Sequence, residues 1–345
     1  MGIGRDFFER DGEGFKAMKR EKGISVCRRI NPERSLISAG SGKFRLIFFL
    51  VVLAALGSCA LAQETSPDYS QKRADYWYKR GLESTGTGDF DDALQSFSEA
   101  IQIEPENAAI WSGRALALQS LYSSLHDPNS YNESLKAYDE AIRLYGEALQ
   151  SNSQDANNWY YKGLALSDKT ALMKSGEGLN ISGTEHDIVG YLEDAIKAYE
   201  EAIKINPQYL TAWKNKGNVL YALGEYNESV QAYEQAIEID QKYALAWYGK
   251  GLALSELGRY DEAVKAYDRA IENAPDNEGI WYNKGIALCN MGKYNAAIKC
   301  FEQAIKLNQS FVKAWNGKGA AFKELGFETE ANAAFARARY LASNT

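Results

Sequence analysis

Apolar and small residues recur along most of this chain with a long, regular period. The seven tryptophans mark it, at intervals of 34, 48, 54, 34, 34 and 34 residues: Trp77, Trp111, Trp159, Trp213, Trp247, Trp281 and Trp315. Between tryptophans the spacing is helical, since residues three or four apart share one helix face. In the fifth unit Trp247, Gly251 and Leu254 form one such stripe, and Ala263, Tyr267 and Ala270 form a second. The pattern predicts two helices per unit.

Glycine and proline mark the ends of these predicted helices. In the fifth unit Gly258 stands between the two helices, where a C-terminal cap favours glycine, and Pro275 follows the second helix. Small residues also recur inside the helices, where they allow close helix approach while aromatic rings fill the flanks. They are Gly81, Ala115, Gly163, Gly217, Gly251, Gly285 and Gly319 on the first helix, and Ala100, Ala148, Ala202, Ala236, Ala270, Ala304 and Ala338 on the second.

Taken together, these residues resemble the tetratricopeptide-repeat family over about residues 74–345. The resemblance implies an all-α fold, a right-handed superhelical solenoid of seven helix-turn-helix repeats. It also implies a concave groove, lined by the first helices, that binds peptides or other proteins. The repeats are predicted at 74–107, 108–155, 156–209, 210–243, 244–277, 278–311 and 312–345.

The two long intervals predict insertions at about 119–132 and 168–192, each between the two helices of its repeat. These stretches contain both histidines, but no helical spacing of metal ligands accompanies them, so no metal site is expected. Extended helices with a polar loop are one interpretation of the insertions. A surface that contacts a partner is the other.

The sequence departs from the family pattern in two ways, one found in every repeat and one in the last repeat. A basic residue precedes the first-helix small residue in every repeat, and it is either a packing strut paired with a nearby acid or part of a cationic ladder. These residues are Arg80, Arg114, Lys162, Lys216, Lys250, Lys284 and Lys318. In the last repeat Glu328, Arg337 and Arg339 indicate a polar cap on the final helix.

When the repeats are aligned with the family pattern, a set of positions in this chain corresponds to the family's groove. They are Tyr78, Tyr160, Tyr161, Lys214, Asn215, Asn218, Tyr221, Tyr248, Leu252, Tyr282, Asn283, Ile286, Asn316 and Lys323. Tyrosine and asparagine suit contact with an extended chain, through ring area and amide hydrogen bonds. Some family members grip a chaperone C-terminus with a clamp of lysines and asparagines. Lys214 and Asn218 match its first pair, but Gly249, Gly279 and Asn283 break the remainder, so that ligand is not expected.

An apolar run at 46–62, preceded by Lys43 and Arg45, indicates an export or anchoring segment. Three fates stay open: cleavage before Gln63, lipidation of Cys59, or retention as a membrane anchor. Each fate places the repeats outside the cytoplasmic membrane. Residues 1–45 are predicted to be a basic, disordered head and 63–73 a linker, with Met1 or Met18 as the start.

Charge and composition narrow the function classes. The head has 11 Lys/Arg against 6 Asp/Glu, which leaves 28 against 40 for residues 46–345, and an acidic body does not fit nucleic acid. The four cysteines form no CxxC pair. Because packing uses the repeat residues, we expect no enzyme and no cofactor. The leading hypothesis is a protein- or peptide-binding scaffold, and the alternative is a self-assembling structural component of the cell envelope.

Overall fold

A computed structural model describes residues 67–176 and 185–343, so the predicted head and the apolar segment at 46–62 lie outside the described residues. Helices make up most of the described chain: α1 Pro67–Thr87, α2 Phe90–Ile103, α3 Ala108–Leu125, α4 Pro128–Ser151, α5 Ala156–Ser175, α6 Glu185–Ile205, α7 Leu210–Leu223, α8 Tyr226–Ile239, α9 Ala244–Glu256, α10 Tyr260–Asn273, α11 Glu278–Asn290, α12 Tyr294–Leu307, α13 Val312–Glu324 and α14 Glu328–Ala342. Within these ranges, none of the helices combines the length and apolarity needed to cross a membrane.

The helices pair into hairpins, each with one tryptophan in its first helix. The chain divides into two compact units, with α1 and α2 in the first and α3–α14 in the second. In the second unit each helix packs on its hairpin partner and on the nearest helix of the next hairpin. First helices of neighbouring hairpins, such as α7 and α9, also touch. The predicted all-α class of stacked helical hairpins is confirmed.

Close approach of the two helices in a hairpin depends on the first-helix glycine. A Cβ atom added to Gly251 would lie 2.5 Å from Cε1 of Tyr267, a ring that is only 1% exposed. The same juxtaposition recurs as Gly81 with Phe97, Gly163 with Tyr199, Gly217 with Tyr233, Gly285 with Phe301, and Gly319 with Phe335. The glycine therefore sets the crossing, and the aromatic ring fills the space that it leaves.

Where the second-helix aromatic residue is tyrosine, its hydroxyl forms a hydrogen bond with a polar side chain of the first helix. A buried hydroxyl without a partner costs about 1–3 kcal/mol, so these pairs make tyrosine acceptable in the core. The pairs are Tyr138 with Gln119 at 2.6 Å, Tyr199 with Ser167 at 3.2 Å, Tyr233 with Asn218 at 2.7 Å and Tyr267 with Ser255 at 3.1 Å.

The tryptophans fix the loops between hairpins. The Trp247 indole Nε1–H donates to the Gln241 carbonyl at 2.8 Å, and Trp281 donates to the Pro275 carbonyl at 2.9 Å. Trp159, Trp213 and Trp315 make the equivalent bond to the loop that precedes them. Each ring thus packs in the helix stack while its polar edge holds the incoming chain.

Four of the recurring basic residues are packing struts between hairpins, as one of the two interpretations predicted. Lys250 Nζ lies 2.8 Å from Glu234 on the preceding hairpin and 5.5 Å from the centre of the Trp247 ring. Lys216, Lys284 and Lys318 repeat this arrangement with Glu200, Asp268 and Glu302. The lysine methylenes cover the tryptophan, and the charge ties one hairpin to the next.

Left-handed turns join the helices of most hairpins. Gly258 has φ +72°, and Gly88, Gly224, Gly292 and Gly326 take the same conformation in their own hairpins. In the second hairpin His126 takes this role with φ 53°, an uncommon conformation for a residue with a side chain. Asp127 then caps α4, because its carboxylate accepts from the backbone of Asn129 and Ser130.

The residues of the two predicted insertions lengthen four helices. α3 to α6 have 18, 24, 20 and 21 residues, whereas α7 to α13 have 13 or 14. Their added turns bury Tyr122, Tyr131 and Leu172 in one cluster. The Tyr122 hydroxyl also donates to the Ser175 carbonyl at 3.4 Å. The lengthened hairpins therefore share a core beyond the repeat pattern.

A buried lysine connects these lengthened helices. Lys169 on α5 is 5% exposed, yet its Nζ lies 2.5 Å from Asp139 on α4 and 4.0 Å from the centre of the Tyr191 ring on α6. Burial alone lowers the Lys169 pKa, but hydrogen bonds to Asp139 and Tyr191 outweigh burial and raise it. Lys169 is therefore a charged link among three helices.

Candidate protein-binding groove

The predicted groove residues lie on the first helices of their hairpins, and within the second unit neighbouring first helices touch. Tyr78 belongs to the first unit, on α1, with its ring 6.1 Å from that of Phe97. The other thirteen belong to the second unit, on α5, α7, α9, α11 and α13. The structure places them in two hydrogen-bonded clusters and a set of more exposed side chains.

The first cluster centres on Tyr160, on α5. Asn215 Nδ2 of the next hairpin donates to the Tyr160 hydroxyl at 3.2 Å. The ring of Tyr209 packs 4.8 Å from that of Tyr160. Tyr161 stacks on Tyr145 with centroids 6.2 Å apart and planes 18° apart, and it stays 40% exposed. Tyr161 is the part of this cluster that a partner can reach.

Two predicted groove residues in this cluster, Asn215 and Lys214, form hydrogen bonds within the protein. Asn215 is only 4% exposed, unlike the accessible groove residue that register implied. The neighbouring Lys214 Nζ donates to Asn215 Oδ1 at 2.7 Å. The amide bridges two hairpins, and a buried amide needs such partners. Lys214 therefore takes part in a hydrogen-bond network inside the groove.

The second cluster repeats this arrangement two hairpins further along. Asn283 Nδ2 on α11 donates to the Tyr248 hydroxyl on α9 at 2.7 Å, and also to the Gly279 carbonyl at 3.0 Å. The ring of Tyr248 packs 6.2 Å from that of Tyr267. Tyr160 with Asn215 and Tyr248 with Asn283 are therefore equivalent cross-links between adjacent hairpins. Both tyrosines remain half-buried, with part of each ring accessible.

Tyr221 lies between these clusters and pairs with a carboxylate. Its hydroxyl donates to Glu256 Oε1 on the next first helix at 3.2 Å. Burial raises the pKa of Tyr221, and the Glu256 charge raises it further, so the hydroxyl stays protonated at physiological pH. Glu256 itself is exposed.

The remaining predicted residues are open to solvent to different degrees. Asn218, Asn316 and Lys323 are exposed. Leu252, Ile286 and Tyr282 are half-buried, and the Tyr282 ring packs 5.3 Å from that of Phe311 in the next hairpin. This side of the second unit thus offers partly accessible apolar and aromatic surface beside exposed amides and a lysine. Such a surface suits an extended polypeptide.

Sequence reasoning missed three residues that shape this side of the molecule. Tyr209 and Phe311 precede first helices and pack on groove tyrosines of the previous hairpin. An aromatic residue recurs four positions before the tryptophan in three repeats, and that signal would have revealed them. Glu256 has no such signal, because its importance depends on the Tyr221 hydroxyl across the hairpin boundary.

Comparison with known families identifies the repeats directly. Models of the tetratricopeptide repeat match residues 74–107, 190–244, 215–278 and 280–311. The matched segments cover parts of both units.

Similar proteins match over limited lengths. Tetratricopeptide repeat protein 6 of Homo sapiens is 24% identical over 163 residues, which is 46% of this chain and 23% of that protein. An uncharacterized protein of Methanocaldococcus jannaschii is 41% identical over 54 residues, 16% of this chain and 63% of that protein. The chain therefore spans less than two thirds of either relative.

Solved structures with similar folds are also repeat proteins. A tetratricopeptide repeat protein from Parabacteroides merdae is 17% identical, with a TM-score of 0.50, over 78% of this chain and 93% of that one. YrrB, described as a repeat protein with an unusual peptide-binding site, is 20% identical over 57% of this chain and 91% of its own, with a TM-score of 0.44. The first of these supports the fold.

Proposed function

This chain carries tetratricopeptide repeats at residues 74–107, 190–278 and 280–311, and we propose from this premise that it is a scaffold holding an extended segment of a protein partner. Such repeats generally mediate protein–protein interactions and generally carry no catalytic function. The partner would lie along the first helices of the second unit, which we call the groove (α3, α5, α7, α9, α11 and α13).

One observation carries this proposal: the groove has a satisfied polar framework under an accessible surface. Inner hydroxyls and amides are paired between hairpins, as in Tyr248 with Asn283. Asn316 is exposed, Asn218 is exposed with its Oδ1 accepting from Tyr233, and Leu252 and Ile286 are half-buried. Asparagine amides can both donate to and accept from a peptide backbone, so they bind an extended chain without requiring one sequence.

Site-specific photocrosslinking in cells tests the groove. A benzoylphenylalanine at Leu252 should give adducts with a discrete partner, because this side chain lies on a first helix. The matched control places the same group at Glu238, an exposed residue of the second helix α8. Equal adducts from both positions, or adducts from Glu238 alone, would move the binding surface away from the groove.

For the compartment, we propose that the repeats lie outside the cytoplasmic membrane. The support is the sequence at 46–62, an apolar run behind Lys43 and Arg45. Intact-mass analysis of the purified chain distinguishes cleavage before Gln63, lipid on Cys59 and an uncleaved anchor. Protease added to intact cells or spheroplasts should degrade the repeats. Protection until the membrane is opened would contradict an outer location.

Self-assembly is the second candidate, and the last helix disfavours it. In earlier hairpins the second helix presents an aliphatic, an acidic and another aliphatic residue to the next hairpin, as with Val230, Glu234 and Ile237. The equivalent residues of α14 are Asn332, Ala336 and Arg339. They offer another hairpin neither a strut partner nor apolar cover.

A gain-of-contact variant tests this interpretation by light scattering. The chain with Asn332→Val, Ala336→Glu and Arg339→Ile should associate as concentration rises, because it restores the docking pattern. The parent chain should not associate through α14. Concentration-dependent growth of the parent that the single Arg339→Glu substitution abolishes would instead support self-assembly through α14.

A further inference from the structure

The carboxylate of Glu256, at the end of α9, is bound to a tyrosine rather than to a lysine or arginine of the described chain. Glu256 is exposed, and the Tyr221 hydroxyl donates to it at 3.2 Å. The lysine struts pair with carboxylates of second helices, such as Glu234 and Asp268. Among the described residues, no ion pair includes Glu256. Its charge is therefore left for solvent or for a ligand.

The tyrosine that holds this carboxylate belongs to an aromatic part of the core. Tyr221 and Tyr248 pack from the groove side on the core that contains Tyr267. The Tyr221 hydroxyl lies 3.2 Å from Glu256 Oε1, and burial together with this charge raises the Tyr221 pKa. The Tyr248 ring is 6.2 Å from Tyr267. A tyrosine face attracts a cation within about 6 Å of its centre.

The Tyr221 hydroxyl has a second effect on the site. By donating to Oε1 it holds the α9 carboxylate beside α7, and among the described residues no hydrogen bond reaches Oε2. A carboxylate held this way can accept N–H groups from an ammonium or a guanidinium, and charge-assisted hydrogen bonds are stronger than neutral ones. The site thus combines a positioned anion with half-buried aromatic surface.

The charge of the surroundings favours the same kind of ligand. Residues 46–345 carry 40 acidic against 28 basic residues, so a cationic segment is attracted before it docks. Lys214, the predicted groove lysine on α7, donates to the amide oxygen of Asn215, and the struts Lys216 and Lys250 pair with Glu200 and Glu234. The observations at α7–α9 therefore indicate a basic partner rather than an acidic one.

We propose that Glu256 and the Tyr221 ring bind a lysine or arginine side chain of the extended segment held in the groove. This inference rests on the proposed function and specifies the chemistry of its partner. The side chain donates to the Glu256 carboxylate, and its methylenes and charge lie against the tyrosine. Asn218 on α7 is also exposed, and because its Oδ1 already accepts from the Tyr233 hydroxyl, its Nδ2 group is the part that can donate to the peptide backbone.

Three synthetic peptides test the proposal by fluorescence anisotropy at physiological salt. Each is a labelled decapeptide of serine alternating with arginine, with citrulline or with glutamate. Citrulline keeps the shape of arginine without its charge. The arginine peptide should bind about tenfold more tightly than the citrulline peptide, from one charge-assisted pair plus a cation–π contact. The glutamate peptide should bind most weakly.

Matched variants separate this site from general attraction. Glu256→Gln should remove most of the preference for arginine over citrulline, and Tyr221→Phe should reduce it less because the ring remains. Glu238→Gln makes the same change of net charge on exposed α8 and should leave the preference intact. Circular dichroism should show that all three variants are folded.

The outcomes distinguish this inference from the broader proposal. Equal binding of arginine and citrulline peptides, or equal losses in Glu256→Gln and Glu238→Gln, overturns the cationic site and leaves groove binding standing. Failure of the arginine peptide to bind at all also overturns it. Groove binding itself is decided separately, by the crosslinks from Leu252 and Glu238.

Discussion

The substitution Gly251→Ala measures how closely the two helices of a hairpin must approach. Its added methyl would lie 2.5 Å from Cε1 and 2.7 Å from Cδ1 of Tyr267. Ordinary contacts begin near 3.4 Å, so the helices or the ring must shift by almost an ångström. Tyr267 has little freedom to move, because it is 1% exposed and its hydroxyl contacts the Ser255 hydroxyl at 3.1 Å.

Two opposing effects determine the size of the loss. Overpacking a well-filled core costs about 1–3 kcal/mol, and a ring that cannot move places this site near the upper end. Alanine in place of glycine inside a helix returns about 1 kcal/mol. We therefore expect Gly251→Ala to lower the free energy of unfolding by about 1–2 kcal/mol, the difference between these two effects.

Two matched glycines give different expected results. Gly190 lies inside α6 with no atom within 4 Å of its added Cβ, so Gly190→Ala should stabilise the chain by about 0.5–1 kcal/mol. Gly258 also has open space but φ +72°, so Gly258→Ala should destabilise by about 1 kcal/mol through backbone strain alone.

Hydrogen exchange followed by mass spectrometry suits this measurement, because repeat arrays open locally. Gly251→Ala should speed exchange in α9 and α10 and leave α12 and α13 nearly unchanged. If Gly251→Ala were as protected as the parent while Gly190→Ala gained protection, close approach at Gly251 would not limit stability. The assignment of glycine to the helix crossing would then be refuted.

Three further predictions concern groups whose surroundings the structure defines. Burial, together with the nearby Cys300 and Glu324, raises the pKa of Cys289 to about 11. Alkylation of Cys289 at pH 7.5 should therefore be roughly a hundredfold slower than that of a free thiol, and it should accelerate toward pH 11. Rapid alkylation at pH 7.5 would contradict this environment. Asp139→Asn should cost about 1–3 kcal/mol in urea unfolding, because it leaves the Lys169 ammonium buried without its anion. Lys169→Met should cost less, since it removes the charge but keeps the chain length, and a larger loss for Lys169→Met than for Asp139→Asn would refute the reasoning. Because the Lys169 pKa is raised in the folded protein, the stability contributed by the Lys169–Asp139 pair should be present below about pH 10. It should be lost as the pH rises through the Lys169 pKa of the folded protein. Tyr248→Phe should cost about 1 kcal/mol by removing the acceptor for Asn283, and unchanged stability would show that this cross-link adds nothing.

The hairpins and their internal packing were predictable from the sequence, because they depend on local spacing. Tryptophan, glycine and alanine at helical intervals identify which faces meet, and the structure brings Gly251 against Tyr267 as that stripe requires. The strut role of Lys250 was one of two interpretations. Choosing between them needed the position of Glu234, which lies on the preceding hairpin.

The groove was predictable as a set of positions, but not as a set of available groups. Register places Asn215 and Asn218 on the same helix, yet Asn215 is buried between hairpins and Asn218 is exposed. This difference arises because Asn215 meets Tyr160 of the preceding hairpin whereas Asn218 is bonded by Tyr233 of its own hairpin, and sequence spacing does not contain those distances. The same reason hid Glu256, whose partner Tyr221 lies on another hairpin.

The sequence by itself therefore determined the repeat, its helices and the residue types at each crossing, since a helix presents the same face every three or four residues. Only the tertiary structure decided which polar groups are used internally and which remain for a partner. That decision is made between hairpins, where burial makes pairing obligatory for Asn215 and exposure leaves Glu256 and Asn316 accessible.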